Sequence, residues 1–464
     1  MNNQLEKIKR YVLIGGDVFV LYLSLWLTLL LRYGGEFSGD VWGRHFWAFT
    51  TIIYAVWLVI FYINDLYSLH LAANNVQFYS RLSRALLAGA ALAAVFFYFI
   101  PYFGITPKTN LFLNILILAA LFPLWRQIYN VFLKSSALSQ NILILGLTKE
   151  SEELIQYLLN KPQLGYKLTA VCDPDGDQTV NISTPSFKGI KIFRGLESVR
   201  QVIISSGVQI LISAKDPRLD PEILKTFYSL LPLKIKIVGL EQFYESIVGK
   251  IPLSLIGEIW FLENLFEGEK GIYEKAKRIL DVCMAFCLGL TSLPLFPFIA
   301  AAVKLNSPGN VFYTQKRIGK GGQMFWLLKF RSMVQDAEKD GAKWAEKEDT
   351  RITKVGNFLR KSRLDELPQL WNVLKGEMSF IGPRPERPEF VRELEKQIPF
   401  YQTRHLIKPG LTGWAQINFP YGASVEDAME KLQYDLYYIK HRSLVLDFGV
   451  VLKTIKIVLS RGGR

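Results

Sequence analysis

The sequence predicts a multi-domain membrane protein: an N-terminal bundle of four transmembrane helices, an α/β Rossmann-like middle domain, and an α+β C-terminal domain with a re-entrant membrane helix. Three observations lead there. The chain opens with four runs of about 20 mainly apolar residues, each long enough to cross a bilayer. Short strand-like runs then alternate with helical ones through residues 140–240, the pattern of a parallel sheet. A fifth apolar run, Ile279 to Val303, is broken by Pro294 and Pro297. The predicted divisions are 1–137 for the spans, 138–245 for the sheet domain, 246–272 for a linker and 273–464 for the last domain. A length of 464 residues suits about three domains.

The four spans are predicted over 11–31, 46–66, 85–105 and 111–133, with Tyr11, Tyr33, Trp42, Tyr67, Tyr102 and Trp125 at or near their ends as interfacial belts. Hydrophobic residues make up 50% of the chain, and the mean hydropathy is +0.18, which suits a bilayer-embedded protein. The first run lacks a small-residue cleavage signature and reads as an anchor. Asp17, deep in that run, reads as a helix–helix contact or a snorkelling group. Lys7, Lys9, Arg10, Arg81, Arg84 and Lys134 outweigh Arg32, Arg44 and Lys108, which puts the N-terminus and everything after the fourth span in the cytoplasm. The net charge of +14 points, beside so much apolar chain, to anionic lipid and phosphate and away from nucleic acid. Three cysteines make no disulfide framework, and Cys283 and Cys287 read as small core hydrophobes. Four scattered histidines speak against zinc.

In the middle domain, strands are expected at 141–145, 168–172, 208–212 and 235–238, with helices near 150–160, 196–206 and 220–231. Gly146 ends the first strand, but the second and third glycines that let backbone approach a pyrophosphate are missing. Asp173 alone stands where a ribose-binding acid would. The domain therefore reads as structural or regulatory. Within the following linker, Ile259-Trp260-Phe261 forms an apolar patch for the membrane or another domain.

The run 279–303 is long enough to span. An internal proline costs roughly 3 kcal/mol and kinks a helix. Asp281 lies near the start, and both flanks are basic: Lys275, Lys277 and Arg278 before, Lys304, Lys316, Arg317 and Lys320 after. A helix–break–helix dipping into one leaflet, broken around Ser292 and Pro294, fits better than a crossing. A hairpin over 311–316 and 324–330 follows, turning at Gly319-Lys320-Gly321-Gly322, with Lys329 and Arg331 alternating about Phe330. Residues 334–350 read as a solvated charged stretch. An amphipathic helix is expected from Gly356 to Leu374, with Phe358, Leu364, Leu367, Leu370, Trp371 and Leu374 on its apolar side and a kink or fresh helix start at Pro368.

Inside that helix, Asp365 and Glu366 are adjacent carboxylates among Arg360 and Arg363. Two neighbouring ionised acids repel, so a cation or a shared proton must compensate. Mg²⁺ does this with one or two carboxylates plus substrate phosphates. Two later stretches, around Pro383-Arg384-Pro385 and from His405 to Asn418 with Lys408 and Gln416, have the Pro- and Gly-rich character of rigid binding loops. The candidate site is thus Asp365 and Glu366, with Lys329, Arg331, Arg360, Pro383, Arg384, Pro385, Lys408 and Gln416 for substrate or phosphate. The last segments, 425–440 and 444–460, are amphipathic and basic enough to lie against a membrane.

Six ordered motifs, Lys-Arg-Ile-Leu-Asp281, Lys304-Leu-Asn-Ser-Pro-Gly309, Lys-Phe-Arg-Ser-Met333, Leu-Asp-Glu-Leu-Pro-Gln369, Asn-Val-Leu-Lys-Gly-Glu-Met-Ser-Phe-Ile-Gly-Pro-Arg-Pro385 and Lys-Pro-Gly-Leu-Thr-Gly-Trp-Ala-Gln-Ile-Asn418, make the region 273–464 resemble the bacterial sugar transferases. These are polyprenyl-phosphate hexose-1-phosphate transferases that begin capsule, exopolysaccharide and O-antigen synthesis. The four spans and the degenerate sheet domain match the family's long members, where the middle domain's role is structural, with dimerisation to a homodimer one option. The resemblance implies a bacterial inner-membrane enzyme whose catalytic domain faces the cytoplasm. It implies transfer of sugar 1-phosphate from a UDP-hexose, glucose or galactose first, to undecaprenyl phosphate, with UMP leaving and Mg²⁺ required. It also implies Asp365 as nucleophile holding a covalent phosphosugar, Glu366 assisting through metal or acceptor, Lys329, Arg331 and Arg360 neutralising phosphate, and Arg384 holding the nucleotide. The family's break reads Ser-Pro; here Leu293 separates Ser292 from Pro294. Two other readings compete. A nucleotide-sugar oxidoreductase or epimerase would need the glycine fingerprint and a Tyr-x-x-x-Lys pair, and neither is found in the sheet region. A non-enzymatic scaffold of polysaccharide assembly would tolerate loss of Asp365.

Overall fold

The computed structural model describes residues 3–99, 108–133, 139–174, 190–265, 270–335, 337, 349–419, 422 and 424–459. Tyr102, Lys134 and most of the charged stretch 334–350 lie outside them. The chain divides into two compact units, Met1–Phe243 and Tyr244–Arg464.

The first unit begins with α1 (Asn3–Tyr33), α2 (Gly39–Ala48), α3 (Tyr54–Ile63), α4 (Val76–Phe99) and α5 (Lys108–Leu133). Among the described residues, four helices are long and apolar enough to cross a membrane: Lys7–Glu36, Val76–Phe99, Thr109–Leu133 and, in the second unit, Gly271–Asn306. The expected second span is not a single α-helix. It starts earlier, at the Ser38 cap that accepts from Val41 N, and a π turn at Phe49–Ile53 separates α2 from the ten-residue α3. The third also starts earlier than expected, because Asn75 Oδ1 accepts from Phe78 N at 2.8 Å and caps α4. Helices α1 and α5 lie side by side, and Trp125 sits so close to Gly16 that a β-carbon there would fall 1.8 Å from its ring. Asp17 is a helix–helix contact: Arg126 Nη2 and Trp125 Nε1 bond its two oxygens.

The same unit continues through β1 (Gln140–Leu145), α6 (Lys149–Leu159), β2 (Tyr166–Asp173), β3 (Lys191–Arg194), α7 (Val199–Ser206), β4 (Ile210–Ser213), α8 (Pro221–Leu230) and β5 (Lys236–Gly239). The strands form one parallel sheet in the order β3-β2-β1-β4-β5. Ile142 to Leu145 are fully buried, as a strand covered on both faces must be. The edge strand β3 escapes sequence reading because only Ile192 and Phe193 of its four residues are apolar. After Gly146 the N-terminus of α6 is closed by its own side chains: Thr148 Oγ1 accepts from Ser151 N and Ser151 Oγ accepts from Thr148 N.

The second unit takes up the chain within α9 (Leu240–Val248). The expected linker holds α10 (Glu258–Asn264), and its Trp260 and Phe261 pack on this unit's core while Ile259 stays exposed. The fifth apolar segment is α11 (Gly271–Ser292), a 3₁₀ turn Leu293–Leu295 and α12 (Phe296–Asn306), so the helix changes character at the predicted prolines. Cys283 and Cys287 are exposed on α11, not core residues; the apolar run that seemed to bury them shows an uncovered face there. Both ends of the segment are tied to the second unit, each at its own cluster. Near the start, Asp281 Oδ1 accepts from Phe380 N at 3.1 Å, and Arg278 donates to Val373 O and Leu374 O. At the far end, Ile299 and Val303 cluster with Phe330 and Leu359, and Asn306 Oδ1 accepts from Val355 N at 2.8 Å.

Next come the antiparallel hairpin β6 (Phe312–Ile318) and β7 (Met324–Phe330), then α13 (Lys354–Lys361) and α14 (Leu370–Lys375). The helix expected over 356–374 is in three pieces, with a 3₁₀ turn Leu364–Gln369 in the middle that contains Pro368, where a kink or fresh start is expected. Arg363 breaks it by taking a left-handed conformation at φ 58°. Two residues assigned to its apolar side, Phe358 and Trp371, are exposed. The chain ends with β8 (Ser379–Ile381), α15 (Pro388–Gln397), β9 (Gly410–Thr412) parallel to β8, α16 (Trp414–Asn418), α17 (Val425–His441) and α18 (Leu444–Leu459).

Candidate active site

Strand β7 runs along the 3₁₀ turn Leu364–Gln369, and the two carry the site between them. Asn372, early in α14, fixes their pairing: its Oδ1 accepts from Leu328 N at 3.1 Å and its Nδ2 donates to Trp326 O at 2.7 Å. On the other side of the turn, α13 is pressed against the segment after β7. A β-carbon on Gly356 would fall 1.8 Å from Ser332 O, so only glycine fits. Ser332 Oγ then accepts from Arg360 Nε at 2.8 Å and orients that guanidinium.

Three cations converge on one oxygen of Glu366. Arg384 Nη2 lies 2.8 Å from Oε1, Arg363 Nη1 3.5 Å and Lys329 Nζ 3.7 Å. Burial would raise this carboxyl, but Arg384, Lys329 and Arg363 outweigh it and hold it well below the usual range. Its neighbour behaves oppositely. Burial pushes the Asp365 carboxyl up, Glu366 repels its charge further, and Lys329, Arg360 and Arg384 only partly compensate. Asp365 is 6% exposed, and its Oδ1 is buried without a hydrogen-bond partner, as is Gln369 Nε2 in the same turn. Lys329 is lowered to about 8 by burial, against the pull of Glu366. Two adjacent acids are therefore driven apart, one fixed as an anion and one left with an open oxygen.

The structure brings together Asp365, Glu366, Lys329, Arg360 and Arg384. Arg331 stands apart from them. The strand ends at Phe330, so the expected alternation with Lys329 fails one residue later, and Arg331 donates to Ser307 O at 2.6 Å and Pro308 O at 2.8 Å. Pro383 and Pro385 act through their carbonyls, which accept from Gly410 N at 2.9 Å and Arg317 Nη1 at 3.1 Å. Gln416 Nε2 donates to Leu411 O at 3.2 Å while its Oε1 is buried without a partner. Lys408 lines a different cleft, with Arg278 and Asp281. Ser292 Oγ donates one turn back to Gly289 O, and Pro294 sits in the 3₁₀ break.

Sequence reading missed Arg363 and Arg404 as site residues. Arg404 Nη2 donates to Arg384 O at 3.1 Å and to Asp435 Oδ2 at 2.8 Å, so it holds the loop that aims Arg384 at Glu366. Arg363 stands two residues before Asp365, which was the available signal; nothing local marks Arg404. Among the described residues no group of three or more His, Cys, Asp or Glu could form a self-sufficient metal site. Two carboxylates, one with an orphaned oxygen, fit Mg²⁺, which completes its shell with water and substrate phosphate.

A family model described as bacterial sugar transferase matches residues 272–461. A UDP-N-acetylgalactosamine-undecaprenyl-phosphate N-acetylgalactosaminephosphotransferase of Aeromonas hydrophila is 41% identical over 235 residues, 49% of this chain and 53% of that protein, about half its length. A UDP-glucose:undecaprenyl-phosphate glucose-1-phosphate transferase of Xanthomonas campestris pv. campestris is 33% identical over 338 residues, 69% of this chain and 67% of that one. A protein of the same name from Escherichia coli (strain K12) is 41% identical over 187 residues, 40% of each chain. On these matches, and on the acid pair set among cations, the chain belongs to the bacterial sugar transferase family.

Proposed function

We propose that the chain transfers a hexose 1-phosphate from a UDP-hexose to undecaprenyl phosphate at the cytoplasmic face of a bacterial inner membrane, initiating a surface polysaccharide. The observation that carries the reading is the buried, unpartnered Oδ1 of Asp365 beside a Glu366 already neutralised by Arg384, Arg363 and Lys329. A carboxylate in that state is a nucleophile awaiting an electrophile. In the first step an Asp365 oxygen bonds to the phosphorus attached to the sugar, and the bond from that phosphorus to the UMP oxygen breaks. Lys329, Arg360 and Arg384 neutralise the phosphate oxygens, and positioning does most of the work. In the second step an undecaprenyl phosphate oxygen takes the phosphorus from Asp365, releasing the carboxylate and the diphosphate-linked product. Mg²⁺ would be held by Asp365 and Glu366 and would supply charge neutralisation on the donor diphosphate. Glucose and galactose lead as the sugar, with the N-acetylated sugar in one relative's name the next to try.

The same reading makes α11 and α12 a re-entrant hairpin in one leaflet. Its support is that Arg278 and Asp281 at one end and Ile299, Val303 and Asn306 at the other are all bound by the same unit, between two basic flanks. The test is UMP release by purified full-length protein with UDP-glucose, UDP-galactose and UDP-N-acetylgalactosamine, with Mg²⁺, with and without undecaprenyl phosphate. The expected result is turnover with one sugar and a burst of at most one equivalent without acceptor. No UMP from folded protein with any sugar overturns the reading in favour of a scaffold.

A further inference from the structure

A second cluster of cations lies in a cleft between the first turns of α11 and the segment entering β9, apart from the groups that act on Asp365 and Glu366. Arg278 Nη2 and Lys408 Nζ each lie 3.4 Å from the point where a β-carbon of Gly376 would stand. They therefore face one small volume from two directions. Lys408 makes no hydrogen bond or ion pair among the described residues. Burial and the neighbouring Arg278 hold its ammonium below the usual lysine value, with Lys320 from the tip of the β6–β7 hairpin adding to the repulsion and Asp281 and Glu274 offsetting only part of it. The acids nearby are engaged elsewhere. Glu274 bonds Arg442 Nη1 at 2.6 Å, Asp281 accepts from Phe380 N, and Asp447 is shared by Lys277, Tyr273 and Tyr438. Like charges held close and only partly offset are costly, and a bound anion lowers that cost.

The surroundings say what kind of anion. Ile272 and Ile279, seven residues apart on α11, are exposed with Leu280, and Leu444, Val445 and Phe448 are exposed at the start of α18, next to Arg442. The cleft thus lies at the first turns of a helical segment, Gly271–Asn306, that is long and apolar enough to enter a membrane. That is the arrangement in which a basic pocket takes a lipid headgroup. Arg278 keeps further N–H groups after donating to Val373 O and Leu374 O, and an ammonium beside a guanidinium suits a phosphate.

We propose that Arg278 and Lys408 form a second phosphate subsite, distinct from the Asp365 centre, that binds the phosphate of a membrane lipid. Two sources share this chemistry: the polyprenyl phosphate acceptor before transfer, and the headgroup of an anionic phospholipid. The acceptor source rests on the function proposed above; the headgroup source does not.

The test compares wild type, K408Q and K408R as full-length protein in nanodiscs of phosphatidylcholine, with and without phosphatidylglycerol. One readout is the KM for undecaprenyl phosphate against the KM for the UDP-sugar. The other is the number of phosphatidylglycerol molecules retained per chain, by native mass spectrometry. If the acceptor occupies the subsite, K408Q raises the acceptor KM about tenfold, the loss of one charge-assisted contact, and moves the donor KM far less, even in pure phosphatidylcholine. If a headgroup occupies it, K408Q loses one retained phosphatidylglycerol. In either case K408R recovers the effect, because Arg keeps the charge. No change in either readout with K408Q overturns the proposal, as does K408R behaving like K408Q at unchanged melting temperature. Absence of UMP release from wild type would overturn the proposed function and leave the lipid count able to decide the subsite.

Discussion

Asp17 and Asp365 are both buried aspartates, and they are fastened in opposite ways. Asp17, in α1, has both oxygens bonded, Oδ1 by Trp125 and Oδ2 by Arg126, and neither Asp17 nor Arg126 is exposed. Asp365 has one oxygen with no partner, although Lys329, Arg360 and Arg384 act on its charge from nearby. A satisfied buried carboxylate fixes a helix pair. A buried polar atom left unsatisfied costs about 1–3 kcal/mol and persists where a ligand completes it. The contrast is between an aspartate whose bonds are all made within the chain and one that still has an oxygen to satisfy.

The largest expected effect breaks the reactive side of that contrast. Asp365→Asn should lower UMP release by at least about 10³-fold while the melting temperature stays at or above that of wild type, because the amide removes a poorly compensated charge. Release at the wild-type rate would remove Asp365 from the chemistry. The pH profile sharpens the point. Burial and then Glu366 raise the Asp365 carboxyl, and only its ionised form attacks, so release should fall as pH drops, with a limb above the ordinary aspartate value of about 3.9. Arg384 favours the charged form, so Arg384→Gln should move that limb to higher pH.

The architectural side should fail differently. Asp17→Asn leaves Arg126 buried without its counter-charge, and breaking a buried pair by removing one partner costs about 3–5 kcal/mol. We expect a lower melting temperature in detergent, with normal UMP release per folded molecule. Replacing both residues by leucine should recover much of the stability. A variant that melts normally would mean that the remaining bonds, Arg126 Nη1 to Leu66 O among them, suffice.

Much of this was legible in the sequence, and the misses share a cause. Consecutive acids among arginines, after a proline-broken apolar run, pointed to Asp365 and Glu366 because two adjacent like charges need a compensating cation or proton. The parallel strands showed as short apolar runs alternating with helical ones, except for the short edge strand β3. What failed was extrapolation of a period past its end. Arg331 was given the face of Lys329, but β7 stops at Phe330. Phe358 and Trp371 were given one apolar face, but Arg363 breaks the helix between them. The π turn at Phe49–Ile53 interrupted the second span in the same way. Arg404 was invisible because its value lies in Asp435 and the Arg384 carbonyl, which approach only in the fold.

The smallest effect concerns a place where a ligand would be expected and the protein has filled the position itself. In an open parallel sheet, the turn after the first strand and the following helix N-terminus form the usual phosphate site. Here Thr148 Oγ1 already accepts from Ser151 N at 3.2 Å, and Ser151 Oγ accepts from Thr148 N at 2.8 Å. Gly146 is packed against Ala214, 3.1 Å from where its β-carbon would be. Thr148→Ala should therefore behave as the loss of a helix cap, about 1 kcal/mol, read as a small drop in melting temperature with the UDP-sugar KM unchanged. A change in KM would make this sheet part of the donor site. A gain in NAD or UDP affinity, measured by calorimetry, would show that the threonine cap is what keeps a nucleotide out. The expected result, a modest loss of stability and nothing else, would place the sheet with Asp17: groups satisfied by the chain itself, and for that reason not available for chemistry.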